Sequence, residues 1–185
     1  MAETFSNMIP LGTIAPDFLL SDTISGRSFS LTDLKGDKAT VLMFICNHCP
    51  YVIHVLDVLI NIPKNYTDKG ISFIAISSND VNSHPQDSPE NMKKLAERYG
   101  FTFPYLFDST QETARSYSAA CTPDFFIFNN VMELVYRGQL DDSRPGNNIP
   151  VTGRDLRNAL DNILDGKSVD PVQRPSIGCN IKWRI

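Results

Sequence analysis

The sequence predicts an α/β protein, and three observations predict it. Residues 40–45 are a continuous apolar run bounded by polar residues, and residues 71–77 read as a second buried strand, as expected of strands buried on both faces of a central parallel sheet. Between them Tyr51, Val55, Leu56, Val58 and Leu59 recur at helical spacing, so the segment reads as strand, helix, strand, a βαβ unit. The tetrapeptide Cys46-Asn47-His48-Cys49 sits where the first of these strands hands over to the helix.

The remaining elements follow in order. Residues 1–16 read as a loop with short extended pieces. Residues 17–22 and 28–31, with Gly26 near the turn, predict an N-terminal hairpin. A short helix or turn follows over 32–37, stopped by Gly36. The helix after Cys49 is expected to run about twelve residues and end at Pro63, because a proline disfavours helix in the residue before it. Residues 78–89 are polar and contain Pro85 and Pro89, which predicts a surface loop. Ser88-Pro89 fits an N-cap with proline at the first helical position, and Gly100 closes that helix after Tyr99. Residues 106–108 are extended and 111–120 form a short helix. Two strands, 125–128 and 134–138, are joined by an Asn129-Asn130 turn. Residues 141–150 are a loop and 154–164 the last helix. The whole chain, 1–185, reads as one domain, with 165–185 an extended tail lacking periodicity.

Composition narrows the function. The chain has 185 residues, 42% hydrophobic and 21% charged, with a net charge of −4, an ordinary globular balance. No basic stripe is available to neutralise phosphates, so no nucleic-acid partner is expected. No stretch approaches the roughly 20 apolar residues of a membrane-spanning helix, so no membrane partner is expected either. The first residues carry neither a basic residue nor an apolar run, which predicts a cytoplasmic protein without a secretory signal. Four cysteines are too few for a disulfide scaffold. In a reducing compartment they stay thiols, and any disulfide among them is transient and catalytic.

Cys46 and Cys49 form a Cys-x-x-Cys pair beside a βαβ pattern, which is a redox signal with a mechanism. The strand delivers the pair to the carboxyl edge of the sheet. The helix that starts there offers unpaired N–H groups and the positive end of its dipole, which favour a thiolate. The second thiol then resolves a mixed disulfide. Half a zinc site is the competing reading, but no second Cys pair and no matching His pair follows, so no metal is expected. Pro50 fits the first helical turn, which makes Cys49 the N-cap and favours it as nucleophile. Analogy with motifs whose first cysteine is exposed favours Cys46 instead. His48 is placed to tune the pair by protonating near neutral pH, or else is a solvated loop residue. His54 and His84 read as structural or exposed.

Cys121-Thr122-Pro123-Asp124 precedes the apolar strand at 125–128. With Ala15-Pro16-Asp17-Phe18, the Phe44-to-Tyr51 segment, Arg137-to-Pro145 and the tail 176–183, it resembles the thioredoxin-like superfamily. Within that superfamily the resemblance is to the peroxiredoxin-like branch (alkyl hydroperoxide reductase/thiol-specific antioxidant, or redoxin). The resemblance implies a thioredoxin-like fold, a central mixed β-sheet with helices on both faces, and a cis bond between Thr122 and Pro123 facing the pair. Peroxidases of the branch carry Pro-x-x-x-Thr-x-x-Cys before the active helix. Cys49-Pro50 matches the end of that pattern, but Cys46 stands at the threonine position and Leu42 at the proline. An arginine is also expected in such sites, and Arg144 or Arg137 is the candidate.

Cys121, beside Pro123, either faces the pair or is a small buried hydrophobe. Cys179, in the tail with Ile181 and Trp183, is either an additional resolving thiol or structural. The leading expectation is a thiol–disulfide oxidoreductase cycling Cys46 and Cys49, with Thr122, Pro123, His48 and Arg144 in the site. It needs no organic cofactor. Its substrates are protein or small-molecule disulfides and thiols, and its electrons come from a thioredoxin- or glutathione-type donor. A thiol peroxidase with antioxidant activity on peroxide, and a redox-silent module using a groove beside Pro123, are the alternatives.

Overall fold

A computed structural model describes residues 3–184. In chain order the elements are β1 (Glu3–Phe5), β2 (Leu19–Asp22), β3 (Ser28–Ser30), α1 (Leu31–Leu34), β4 (Ala39–Phe44), α2 (Pro50–Tyr66), β5 (Ile71–Ser77), α3 (Pro89–Tyr99), β6 (Tyr105–Phe107), α4 (Glu112–Ser116), β7 (Cys121–Thr122), β8 (Asp124–Asn129), β9 (Leu134–Gly138), α5 (Arg154–Leu164) and β10 (Ile177–Asn180). Seven strands form a central mixed sheet ordered β3-β2-β6-β5-β4-β8-β9. β4, β5 and β6 are parallel, while β8 runs antiparallel to β4.

Alternation along the central strands divides the core between two faces. Val41 and Met43 of β4, Phe73 and Ala75 of β5, and Phe125 and Ile127 of β8 face one way. They pack with Val55 and Leu59 of α2, Met92 of α3 and Leu160 of α5. Leu42, Phe44, Ile74, Ile76, Phe126 and Phe128 face the other way, with Leu31 of α1 and Ala114 of α4. Each large apolar side chain buried this way contributes about 1.5–3 kcal/mol. Because both faces are covered, every residue of β4 is buried, which is why its sequence is an unbroken apolar run.

Local chemistry sets the boundaries. Ser30 caps α1 in a capping box with Asp33. Ser88 caps α3 by accepting from the Asn91 N–H, with Pro89 at the first helical position, and Gly100 ends α3 at φ +64°. The expected stop of α2 at Pro63 is corrected: α2 continues to Tyr66 with Pro63 inside it. Pro63 is buried there, and its carbonyl accepts from both the N–H and the hydroxyl of Thr67, so the last turn keeps its bonding despite the donor that proline lacks. The helix expected over 111–120 shrinks to α4, because Ser118 takes φ +51° just beyond it.

Two further expectations change. The tail carries a strand: β10 pairs antiparallel with β1 on one side and β7 on the other. The polar stretch 78–89 is folded inward: Ser78, Asn79, Asp80 and Asp87 are all buried. Its buried polar groups are paired, as burial demands. Ser78 donates to Asp108, Asn79 to Asp87, and the Asp80 carboxylate accepts from Ser83.

Candidate functional site

β4 ends at Phe44 and α2 begins at Pro50, so the four-residue motif occupies the handover between them. Cys49 is the N-cap of α2, in extended conformation at φ −70°, ψ 122°, and Pro50 is the first helical residue. Proline is at home there, since its missing N–H would be unpaired anyway. The Cys49 carbonyl accepts the Ile53 N–H at 3.0 Å, which fixes the first turn. All four cysteines are free and buried.

Cys46 and Cys49 both contact Thr122, which precedes a cis Thr122–Pro123 bond. The Cys46 sulfur and the Thr122 hydroxyl are 3.4 Å apart. The Cys49 thiol donates to the Thr122 carbonyl at 3.2 Å. The two thiols have opposite electrostatic fates. Cys49 is held below the ordinary thiol value, first because Cys46 hydrogen-bonds its thiolate, with Cys179, the Val52 N–H and Thr122 adding to the effect against burial. Its sulfur makes no capping bond of ideal geometry, so the helix contributes through the nearby Val52 amide and the dipole. Cys46 is pushed up, chiefly because it supplies that hydrogen bond, then by burial and by the neighbouring Asp87. One thiol therefore keeps its proton so that the other can lose it.

Asp87 is the site residue that sequence reasoning missed. Its carboxylate is fully buried. It accepts the Asn47 backbone N–H at 2.8 Å and the Asn79 side-chain amide at 2.8 Å. Asn47 is held further by donating to the Gln86 carbonyl and by accepting from the Tyr105 hydroxyl. The motif is thus pinned by the 78–87 segment rather than left as a free loop. His48 lies with Nδ1 2.7 Å from Asp87 Oδ2, but neither ring nitrogen makes a hydrogen bond of acceptable geometry. The ring stacks on His84 at 5.2 Å. Burial, and then the neighbouring His48, hold His84 below the usual histidine value.

Cys46, His48 and Asp87 each offer a ligand atom, all within 4.8 Å of one another. They are the residues that could hold a metal ion among those described. Both Asp87 oxygens, however, already accept amide hydrogens, and Cys46 is the thiol that holds its proton.

The other candidates are placed as follows. Cys121 is buried, with its sulfur 3.9 Å from the Pro123 carbonyl, and burial raises its thiol far above the ordinary value. Cys179 lies opposite Thr122 in the β10–β7 ladder, and its thiol helps to lower that of Cys49. Arg144 lines a small cleft with Tyr51, Val55, Pro123, Pro145 and Ile177. Its guanidinium donates to the Asp141 and Ser143 carbonyls and to Gln139. Arg137 is fully buried, paired with Asp124 at 3.0 Å. His54 is bonded to Ser143 at 2.7 Å, along α2 from the pair.

Two solved structures resemble this chain over nearly its whole length, and other known proteins over about 70% of it. An uncharacterized conserved protein from Geobacillus kaustophilus is 58% identical, with a TM-score of 0.98 over 100% of this chain and 97% of that one. A hypothetical protein from Sinorhizobium meliloti 1021 is 46% identical, with a TM-score of 0.95 over 98% of each chain. The thioredoxin domain of a thiol-disulfide oxidoreductase from Bacteroides vulgatus is 21% identical, with a TM-score of 0.59 over 70% of this chain and 89% of that one; it shows that the fold is thioredoxin-like. Thiol-disulfide oxidoreductase ResA of Geobacillus thermodenitrificans is 28% identical over 68% of this chain and 67% of its own length. The profile of the AhpC/TSA family matches residues 11–137, a span that takes in the cysteine pair, the cis-proline turn and most of the central sheet. On that match the chain belongs to the AhpC/TSA family.

Proposed function

We propose that the chain is a thiol–disulfide oxidoreductase in which Cys49 attacks and Cys46 resolves. The carrying observation is the asymmetry of the pair: a Cys49 thiol eased toward thiolate at the N-cap of α2 by a hydrogen bond from a Cys46 thiol held protonated. The Cys49 thiolate attacks a client disulfide and forms a mixed disulfide. Cys46 then gives up its proton, attacks the Cys49 sulfur and releases the client thiol. The client gains two electrons, and the protein is left with a Cys46–Cys49 disulfide. The resemblance to ResA supports the same chemistry. A thioredoxin- or glutathione-type donor would return the pair to dithiol in the cytoplasm.

Membership of the AhpC/TSA family favours a second reading, reduction of a peroxide by Cys49 through a sulfenic acid. Leu42 and Cys46 in place of the peroxide-holding proline and threonine weigh against it. One experiment separates them. Reduced protein is offered hydrogen peroxide or an insulin-type disulfide, with the Cys46→Ser/Cys179→Ser double variant and Cys49→Ser used to trap the adduct. The proposal expects the disulfide to be turned over and Cys49 to carry the trapped client. Turnover of peroxide alone, or a client trapped only on Cys46, would overturn it.

A further inference from the structure

Two thiols, not one, help to hold the Cys49 thiol down. Cys46 comes from the motif, and Cys179 comes from β10. Cys179 is opposite Thr122 in the β10–β7 ladder, and Thr122 supplies the carbonyl that accepts from Cys49 at 3.2 Å. Cys179 is only 3% exposed and belongs to the same buried cluster as Cys46 and Cys49. Its position is built into the fold. β10 is held between β1 and β7. Gly178 runs so close to β7 that a Cβ there would lie 1.9 Å from the Thr122 carbonyl oxygen. Glu3, opposite Cys179 on β1, accepts the Tyr51 hydroxyl at 2.6 Å and so ties this small sheet to the first turn of α2. Beyond the strand, the Lys182 N–H donates to Asn79, the residue that also holds Asp87.

We propose that Cys179 is a second resolving thiol for Cys49, so that the protein closes two alternative intramolecular disulfides, Cys46–Cys49 and Cys49–Cys179. The inference deepens the oxidoreductase reading and rests on it. Once Cys49 has attacked a disulfide R–S–S–R, one RS⁻ has left and Cys49–S–S–R remains. Cys179 then gives up its proton and attacks the Cys49 sulfur. The bond from Cys49 to the client sulfur breaks, RS⁻ leaves and takes a proton, and the Cys49–Cys179 bond remains. Two electrons have passed to the client, and two protein thiols have been oxidised. The same attack on a closed Cys46–Cys49 disulfide expels Cys46 as a thiolate, which recovers the proton Cys179 lost. That step moves the disulfide without net redox change. Cys121, whose sulfur lies against the Pro123 carbonyl, is the internal control that should stay a thiol.

The test oxidises full-length wild type and Cys46→Ser with oxidised glutathione, blocks free thiols by alkylation, and maps disulfide-linked peptides by mass spectrometry. The expected result is that Cys46→Ser sheds glutathione and yields a Cys49–Cys179 linkage, with Cys121 alkylated. If Cys46→Ser instead keeps glutathione on Cys49 while Cys179 is alkylated, and wild type closes Cys46–Cys49, the role of Cys179 is overturned and the oxidoreductase reading survives. If wild type forms no disulfide and takes no glutathione at Cys49, both fall. Circular dichroism checks that the variant is folded, and Cys46→Ala carries the same test should the serine variant not be.

Discussion

The Asn47 backbone N–H donates to the buried carboxylate of Asp87 at 2.8 Å, across forty residues of sequence. This bond joins the Cys-x-x-Cys motif to a segment that sequence alone marks as a surface loop. Asp87→Ala strips the acceptor from Asn47 and Asn79 together, and a buried donor left unsatisfied costs about 1–3 kcal/mol. Urea denaturation of the reduced protein should show a loss of that order. Asp87→Asn, which keeps one carbonyl acceptor, should lose less. Equal loss in the two variants would mean that the charge, not the bonding, holds the loop.

The lowered Cys49 value carries a pH signature. Its folded-state thiol sits below that of an unfolded cysteine, so the thiolate stabilises the reduced protein fully above the unfolded thiol value, about 8.5. That contribution is lost as pH falls through the depressed Cys49 value. Alkylation of Cys49 by iodoacetamide should persist at pH values where a free cysteine has become unreactive. Cys46→Ser weakens the main hydrogen bond and should move that profile toward ordinary thiol behaviour. An unchanged profile would reassign the shift to the helix.

Arg137 and Asp124 form a fully buried ion pair at 3.0 Å. The guanidinium also donates to the Tyr117 and Ser118 carbonyls and lies over the Phe126 ring at 4.2 Å. Removing one charge strands the other, at a cost of about 3–5 kcal/mol. Asp124→Asn and Arg137→Met should each lower the melting temperature sharply. Joining Arg137→Met with Asp124→Leu should recover part of the loss, because no buried charge then remains. A double variant as unstable as the sum of the singles would show that the pair stabilises beyond mutual compensation.

Gly178 has no room for a side chain. Its Cβ would meet the Thr122 carbonyl oxygen at 1.9 Å and the Pro123 nitrogen at 3.2 Å. These are backbone atoms, which cannot swing aside as a side chain can. Gly178→Ala should therefore push β10 from β7 and cost roughly 1–3 kcal/mol, as overpacking does. Hydrogen exchange should speed up at β10 and β7, with the central strands β4 and β5 unaffected.

Much of this was legible in the sequence because it is local. Two apolar runs place β4 and β5, the Ser88-Pro89 cap places the start of α3, and Cys49-Pro50 places the thiol on the first turn of α2. The Thr122–Pro123 turn was readable through the family pattern. What escaped depends on partners far along the chain. Asp87 lies in a polar stretch, and nothing in its neighbours shows that its carboxylate turns inward to Asn47 and Asn79. β10 is four residues of mixed polarity, and only its pairing with β1 and β7 makes it a strand. Pro63 misled because a proline normally ends a helix, whereas here its carbonyl finds both donors of Thr67.

The strand β10 also bears on which molecules can reach the sulfurs. It occupies the backbone edge of β7, pairing Cys179 with Thr122 and Asn180 with Cys121. Under the proposed exchange, a large partner that takes that edge peels the tail away, Cys179 leaves with it, and Cys46 alone remains to finish. A compact thiol compound makes no such demand and leaves both exits open. Guest size and the route by which the disulfide closes are thereby linked through one short ribbon of chain.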